Sequence, residues 1–412
     1  MSGLMGIEYL RKKLEQKRTR VLMRYKYYEM KNCVQDYKET TPESLRNVNA
    51  VLGWCGKAAD SLADRLVFRK FEEDNFDLNE IFMMNNADIL FDSAILSATI
   101  ASCSFIYIAP DGDGYPRLRV IDGANATGRI DPVTGMLTEG YAVLERKNAD
   151  GNGKPTLEAY FIPGKTVIVN RLNGLAKSYT NKAPYPLLVP IIYRPDARRP
   201  FGHSRISRSC IDIMTSAIRT LKRAEISAEY YSFPQKYILG MSQDAEPLNK
   251  IKASMSSLLQ IDKDEDGDKP TVGQFTQQSM SPYTEQLRSL AALFAGETGL
   301  TLDDLGFATE NPSSAEAIKA SHENLRLTAR KAQRTFGSGF LNAGYLAACV
   351  RDDFAYKRSQ LYLTKPAWEP VFEPDAAMLG LIGDGAVKIN QAVPGYFGKE
   401  NLRNLIGIDS NV

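Results

Sequence analysis

Hydrophobic residues spaced three and four positions apart dominate residues 281–353 and predict two helices joined by a loop. The first helix begins at Ser281-Pro282, a capping residue followed by proline, and ends near Gly296. One of its faces carries the apolar residues Leu287, Leu290, Ala291 and Phe294. The second helix is predicted over 313–353, roughly 40 residues or about 60 Å at the usual rise per residue. Such a length indicates a large assembly rather than a small globule.

The same helical spacing recurs elsewhere in the chain. Residues 45–66 predict a packed helix, and residues 77–103 predict a helix in two pieces, broken near Asn85-Asn86. Residues 204–232 predict a further long helix with Ser204 as its N-cap. Inside the 313–353 helix, Gly337, Gly339 and Gly344 predict a bend.

A basic helix is predicted near the N-terminus, over residues 7–31. Its cationic side chains are Arg11, Lys12, Lys13, Lys17, Arg18, Arg20, Arg24, Lys26 and Lys31. Such a run is usually a solvated face, which is one interpretation here. The alternative is a contact with nucleic acid or an acidic partner, and the sequence alone leaves both open.

From residue 104 the hydrophobic period changes from helical spacing to alternation, which predicts strands. The predicted strands cover 104–109, 116–121, 136–147, 156–162 and 166–172, and we expect them to form one antiparallel sheet of about five strands. A proline-rich passage at 184–200 follows, which suits neither a helix nor a central strand and predicts a domain crossing. Residues 235–274 predict a small α/β insert, 361–374 a strand containing Trp368, and 376–408 two short helices.

Composition narrows the classes of protein. The 412 residues carry 51 basic and 49 acidic side chains, so binding to nucleic acid through bulk charge alone is disfavoured. There is no apolar run long enough for a transmembrane helix and no signal-peptide core near residue 1. Five cysteines far apart in sequence indicate buried thiols in a reducing compartment.

Candidate catalytic and metal-binding patterns are incomplete. Gly164-Lys165-Thr166 resembles the end of a phosphate-binding loop, but Ala159 stands where that loop needs glycine. Asp262, Asp264 and Asp266 begin like a calcium loop whose last ligand is replaced by Gly273. Gly202-His203-Ser204-Arg205-Ile206 resembles a nucleophile elbow, but Ile206 stands where its closing glycine is needed. His203 and His322 are the two histidines, and with no Cys-x-x-Cys pair a zinc site is not expected. We therefore expect no enzyme activity, no cofactor and no metal, with hydrolysis through a histidine as the weakest alternative.

The order of predicted elements resembles that of the portal proteins of tailed bacteriophages. Local stretches agree: residues 54–66 look like the family's N-terminal wing helix, 201–206 like the start of its first stem helix, and 315–318 like the helix after its tunnel loop. The resemblance implies an α+β fold that is mainly helical, with a wing, a two-helix stem, a small α/β clip and a C-terminal crown. It divides the chain into wing 1–203, stem helix 204–232, clip 233–280, second stem helix 281–298, tunnel loop 299–314, long wing helix 315–360 and crown-like segment 361–412.

The resemblance also implies a function. Portal proteins form a ring, usually a dodecamer, at one capsid vertex of the virion, and double-stranded DNA passes through it during packaging and genome ejection. The implied partners are further copies of the chain, the major capsid protein, the terminase large subunit, a head–tail adaptor and DNA of any sequence, with no membrane. The ring would assemble in the cytoplasm of the bacterial host. The alternative is another oligomeric virion or tail protein that has no DNA channel.

Two sets of residues are candidates for the channel surface. Asn311, Ser313, Ser314 and Lys319, in and just after the loop, can contact phosphates without sequence preference. The face of the 281–296 helix opposite its apolar stripe carries Glu285, Ser289 and Ala292, which suit a channel that does not hold DNA tightly. The alternatives are an ordinary capped loop and a helix face that packs on a neighbouring subunit.

Overall fold

A computed structural model describes residues 4–32, 34, 49–110, 115–148, 153–232, 236–239, 271–274, 279–307, 320–372, 376–399 and 401–402. These residues form helices and antiparallel strands, as expected for an α+β fold. The chain divides into two compact units: the first comprises Met1–Asn32, Gly53–Ile211 and Ala295–Val412, and the second comprises Cys33–Leu52 and Asp212–Phe294. No helix among the described residues has the length and apolar character needed to cross a bilayer.

Among the described residues, six helices lie wholly within the first unit. They are α1 (Ile7–Tyr28), α2 (Trp54–Ala63), α3 (Leu78–Met83), α4 (Ala87–Ala101), α7 (Glu323–Arg351) and α8 (Ala376–Ala392). The predicted break between α3 and α4 is confirmed. There the Asn85 side chain donates to the carbonyl oxygens of Ile81 and Pro116 and accepts from the Leu118 amide, at 2.8–3.0 Å. The break therefore ties the two helices to a neighbouring strand.

The strands of the first unit form separate sheets rather than the single sheet that was expected. They are β1 (Phe68–Glu72), β2 (Cys103–Pro110), β3 (Pro116–Ile121), β4 (Ala126–Ile130), β5 (Leu137–Arg146), β6 (Pro155–Ile162), β7 (Lys165–Asn170), β8 (Ala176–Thr180), β9 (Leu188–Ile192) and β12 (Lys365–Trp368). One sheet has the order β3-β2-β9, another has β4-β5-β6-β7-β8, and β1 pairs with β12. The one-sheet prediction was wrong because alternation reveals strands but not which strands pair.

The proline-rich passage contains strand β9, which sequence reasoning missed. Pro190 lies opposite Phe105 of β2, and β9 is an edge strand of its sheet. An edge strand tolerates proline because one row of its backbone groups needs no partner strand. Four of the five residues of β9 are buried, so the passage belongs to the core of the first unit instead of merely crossing between domains.

Helix α7 is shorter than predicted, although its apolar stripe is buried as expected. It covers 29 residues, and a turn at His322 interrupts the helical run that was expected to be continuous. Its internal glycines allow close packing. A Cβ atom on Gly337 would lie 2.5 Å from Pro366 Cγ, and one on Gly339 would lie 2.8 Å from Ile191 Cδ1. These glycines therefore serve the packing of β9 and β12 against the helix, a role that the predicted bend did not include.

Two helices continue from the first unit into the second or back again. They are α5 (Arg208–Ser232) and α6 (Ser281–Thr298), and the second unit also contains the antiparallel pair β10 (Lys236–Leu239) and β11 (Thr271–Gln274). Helix α5 begins later than predicted, because the Cys210 amide donates to the Ser207 hydroxyl at 3.1 Å. The expected cap, Ser204, instead donates to Ile100 O and accepts from the Ile206 amide.

Candidate DNA-facing and assembly surfaces

Helix α6 presents a face of polar and small side chains. Ala291 and Phe294 are fully buried, whereas Glu285, Ser289 and Ala292 are exposed. The Ser289 hydroxyl donates to the Glu285 carbonyl oxygen at 2.9 Å, which satisfies it within the helix. The face thus offers one carboxylate and otherwise little that would grip a phosphate backbone.

Leu293 borders this face and was not singled out from the sequence. Its side chain is 62% exposed, although it is a large aliphatic residue. At 100° per residue it lies about 80° around the helix from Glu285. The sequence signal that could have identified Leu293 is a leucine placed beside the polar face of the helix. Its exposed side chain suits contact with another protein surface better than contact with water.

The residues just after α6 form a compact, capped turn. The amides of Gly299 and Leu300 both donate to Ala295 O, which closes the helix end. Both the amide and the hydroxyl of Thr301 donate to the Asp304 carboxylate at 2.9 Å, and Leu300 and Leu305 are buried. The beginning of the predicted tunnel loop is therefore packed against protein, and its acidic residue Asp304 is engaged locally.

The two described flanks of this loop lie together. His322 Nδ1 is 3.7 Å from Asp304 Oδ2, and the ring centroid of His322 is 6.2 Å from that of Phe372. The described residues on the two sides of the loop, Asp304 and His322, are therefore neighbours in space. Asn311, Ser313, Ser314 and Lys319 lie outside the described residues, and their contact with DNA stays a prediction.

The segment identified as the start of the first stem helix is a buried joint. Arg205 donates through Nε to Ala58 O at 3.1 Å and through its terminal nitrogen to Thr298 O, while its amide donates to Thr99 O at 2.9 Å. Its side chain is buried. One guanidinium thus connects α2, the end of α6 and the segment before α5, which explains why an arginine stands in an otherwise apolar setting.

The basic helix α1 fits neither of its two interpretations completely. Arg11 pairs with the fully buried Glu158 at 2.6 Å, and Arg171 reaches the same carboxylate at 3.1 Å. The amides of residues 5 and 6 and the Tyr160 hydroxyl donate to the buried Glu139 at 3.0–3.1 Å. Burial, and then this hydrogen bond, raise the pKa of Tyr160 to about 12. Part of the helix is therefore attached to the five-stranded sheet through charges that the sequence suggested were solvated.

The incomplete catalytic patterns have structural roles where they are described. Gly164-Lys165-Thr166 lies at the turn between β6 and β7, a hairpin rather than the strand–loop–helix of a phosphate-binding loop. His203 Nε2 lies 2.6 Å from Asp196 Oδ2 in an exposed loop. The described cysteines, Cys55, Cys103, Cys210 and Cys349, are buried and free, and no cluster of potential metal ligands occurs among the described residues. The acidic residues 262–268 and Cys33 lie outside this part of the chain.

Comparison with known proteins identifies phage relatives. The chain is 25% identical to the portal protein of Mycobacterium phage L5 over 343 residues, which cover 78% of this chain and 69% of that protein. It is 26% identical to the portal protein of Mycobacterium phage D29 over 341 residues, with the same coverage. No protein-family model matches. Among solved structures, the neck of an empty gene transfer agent particle computed with C6 symmetry contains a chain with 13% identity and a TM-score of 0.46, covering 86% of this chain and 90% of that one. The resemblance to phage portal proteins is confirmed by the two phage relatives.

Proposed function

We propose that this chain is the subunit of a portal ring, which forms the head–tail connector of a tailed phage. The observation that carries the proposal is the similarity to two phage portal proteins across 78% of the chain. That span includes most of the elements on which the proposed role depends, and it does not rest on one short motif.

The ring would be the channel for double-stranded DNA during packaging and ejection. It would contain twelve subunits at a capsid vertex, contact the major capsid protein, and bind first the terminase large subunit and later a head–tail adaptor. The features that support a conduit are the exposed polar face of α6 and the loop whose flanks meet at Asp304 and His322. In this proposal Glu285, Ser289 and Ala292 face the channel, and Asn311, Ser313, Ser314 and Lys319 contact the DNA backbone.

The proposal assigns no catalysis to the chain. Nucleotide hydrolysis during packaging would belong to the terminase partner, since Lys165 lies in a β-hairpin and Ala159 is fully buried in the neighbouring strand. Purified protein is therefore expected to show no sustained ATP turnover, and a turnover abolished by Lys165→Ala would contradict this assignment.

Negative-stain microscopy of the purified full chain, together with native mass spectrometry, tests the ring. We expect closed rings with a central channel, held by an interface between different surfaces of neighbouring copies. A monodisperse monomer at high protein concentration and moderate salt would contradict the proposal. Closed particles without a central hole would instead favour a virion or tail protein that has no DNA channel.

A further inference from the structure

A stripe of cationic side chains runs along α1 and meets an exposed loop of the first unit. We propose that this surface, formed by Lys13, Lys17, Arg20, Arg24 and Arg199 around Phe201, binds the phosphate backbone of double-stranded DNA. The site is separate from the loop at 299–314 and from the exposed face of α6. Its choice of DNA as the ligand rests on the proposed function.

The helical spacing places the cations on one side of α1. Positions 13, 17, 20 and 24 follow one another by four, three and four residues, so they lie within about 60° of one another around the helix axis. Neighbouring members are about 4.5–6 Å apart along the axis at the usual rise. Like charges at these spacings repel one another, so this arrangement destabilises the helix when it is considered alone.

The loop after β9 completes the surface. Lys13 Nζ lies 5.1 Å from the centroid of the Phe201 ring, and Lys17 Nζ lies 5.6 Å from the same ring. The guanidinium groups of Arg20 and Arg199 both act electrostatically on Arg24. Arg20 and Arg199 are exposed, and so are Arg194 and Arg198 in the same loop. Two lysines of α1 therefore lie beside the Phe201 ring, and the charge of Arg199, from the loop that carries this ring, acts on Arg24 of the helix.

Backbone contacts fix several of these cations without neutralising them. Lys13 donates to Gly128 O at 2.7 Å, and Arg24 donates to Ala101 O at 2.9 Å. Among the described residues, Lys17, Arg20 and Arg24 form no ion pair with a carboxylate. Burial, and then the charge of Arg20, lower the pKa of Arg24 to about 10. The pKa falls because no counter-ion stabilises the charged form of this buried guanidinium.

Three carboxylates lie near these cations, and two of them, Asp122 and Glu139, act electrostatically on Lys17 and Lys13. Asp122 accepts from the Ala124 amide and the Asn125 side chain, both at 2.6 Å. Asp196 accepts from the amides of Arg198 and Arg199 and is 2.6 Å from His203. Glu139 is buried beneath the start of α1. The five cations of the surface outnumber these three carboxylates, so the surface keeps a net positive charge.

A phosphate backbone fits this arrangement better than an acidic polypeptide does. It offers regularly spaced anions regardless of sequence, and guanidinium groups match phosphate oxygens in geometry. An acidic polypeptide would need a run of carboxylates held at the same spacing. The cations are also partly ordered before binding, which reduces the entropy lost on binding.

Salt-dependent binding of a short fluorescent DNA duplex tests the site, with the purified full-length assembly as the protein. The variant Arg20→Gln with Arg199→Gln removes two exposed cations of the surface. Because each phosphate contact contributes about 0.9 to the slope of log affinity against log salt, we expect the slope to fall by about 2 in magnitude. Each single variant is expected to lose about half of that.

A matched control removes the same charge from the other side of the helix. Lys12→Gln with Lys26→Gln changes two exposed lysines of α1 that point away from the stripe, and its slope is expected to stay close to that of the unmodified chain. Equal losses in both double variants would indicate bulk electrostatics and overturn the proposal, as would an absence of DNA binding by the unmodified assembly. Displacement of DNA by polyglutamate at equal charge concentration would assign the surface to an acidic polypeptide instead.

The same samples separate this proposal from the portal proposal. Microscopy of each preparation reports whether rings form. If rings form but the substitutions in the stripe do not change DNA binding, the proposed site is wrong and the portal proposal is unaffected. If the Arg20→Gln with Arg199→Gln variant lost DNA binding but the protein formed no ring, the DNA-binding site would be supported and the portal proposal would be contradicted.

Discussion

Arg205 is the residue for which the structure predicts most clearly how a substitution would change stability. Arg205→Ala would remove the charged donor that the carbonyl groups of Ala58 and Thr298 share in a buried setting. We expect a loss of roughly 2–3 kcal/mol in the free energy of unfolding, because a hydrogen bond from a charged donor contributes about 1.5–3 kcal/mol. Urea unfolding of the variant measures the loss.

Arg198→Ala is the matched control for this prediction. Arg198 is exposed, and the contact recorded for it is made by its backbone amide, which alanine preserves. Its cost is expected to lie within about 0.5 kcal/mol, as for most surface substitutions. Equal losses in the free energy of unfolding for the two variants would mean that the buried hydrogen bonds of Arg205 add no stability beyond that of an exposed arginine.

Gly202 shows how backbone conformation and packing combine at one position. It has φ +73°, and a Cβ atom there would lie 2.0 Å from the Tyr193 carbonyl oxygen. Gly174 has φ +71° with nothing within 4 Å of an added Cβ. Gly174→Ala should therefore cost only the left-handed strain of about 1–2 kcal/mol. Gly202→Ala should cost clearly more, and thermal unfolding of the two variants compares them. Similar losses would show that the segment 201–206 shifts to accept a side chain.

The basic residues of α1 show what a residue pattern cannot reveal. Their number and helical spacing were evident in the sequence, but their division into paired and unpaired members was not. Arg11 finds Glu158, which lies 147 positions away, and no local signal marks that carboxylate as buried. The sequence pattern therefore identified the charge correctly but not where the charge is compensated.

At the scale of elements, the sequence predicts a helix boundary correctly where a single capping or turn residue sets that boundary. The start of α6 at Ser281 and the break at Asn85 follow from capping and turn preferences, and the structure has both. The partition of strands into separate sheets, the edge strand at Pro190 and the turn at His322 depend on tertiary pairing or packing. Those features were missed because alternation and helical spacing continue unchanged across them.

Helix α6 offers a test that separates a channel face from an interface. In the assembled ring, a cysteine in place of Ser289 is expected to react with a small thiol reagent, since a channel face stays in contact with water. A cysteine in place of Leu293 is expected to be protected, because the exposed leucine suits a subunit contact. The measurement is the rate of labelling followed by mass spectrometry.

The labelling background is low because the described cysteines are buried, and Cys33→Ser removes the remaining one. Unfolded protein provides the reference rate for each introduced thiol. Protection of the Ser289→Cys thiol in the ring would assign this face to a neighbouring subunit, and the channel lining would have to be sought on another helix face.

At the scale of the whole molecule, the features of the single chain and those of an assembly rest on different observations. The elements and their order are properties of one chain, and they were largely predictable. The proposed ring, its channel and its partners would be properties of an assembly, and the proposal rests on the similarity to phage portal proteins. Several large apolar residues are strongly exposed, among them Leu381 of α8 and Ile89 of α4, each at 73%, and they are consistent with surfaces that a larger assembly covers.

The loop at 299–314 gives the last prediction, which concerns the assembled particle. Asn311→Ala with Lys319→Ala removes a hydrogen-bonding side chain and the nearest positive charge from the proposed DNA contact. We expect rings to assemble and enter capsids normally while the amount of packaged or retained DNA falls, because phosphate contacts act without affecting the fold. If the loop is only an ordinary capped connection, its substitutions are expected to cost about 1 kcal/mol of stability and to leave the DNA content unchanged. Heads filled with full-length genome at the normal rate in the double variant would show that the loop does not touch DNA, and the channel contact would then have to come from α6 or from another surface of the ring.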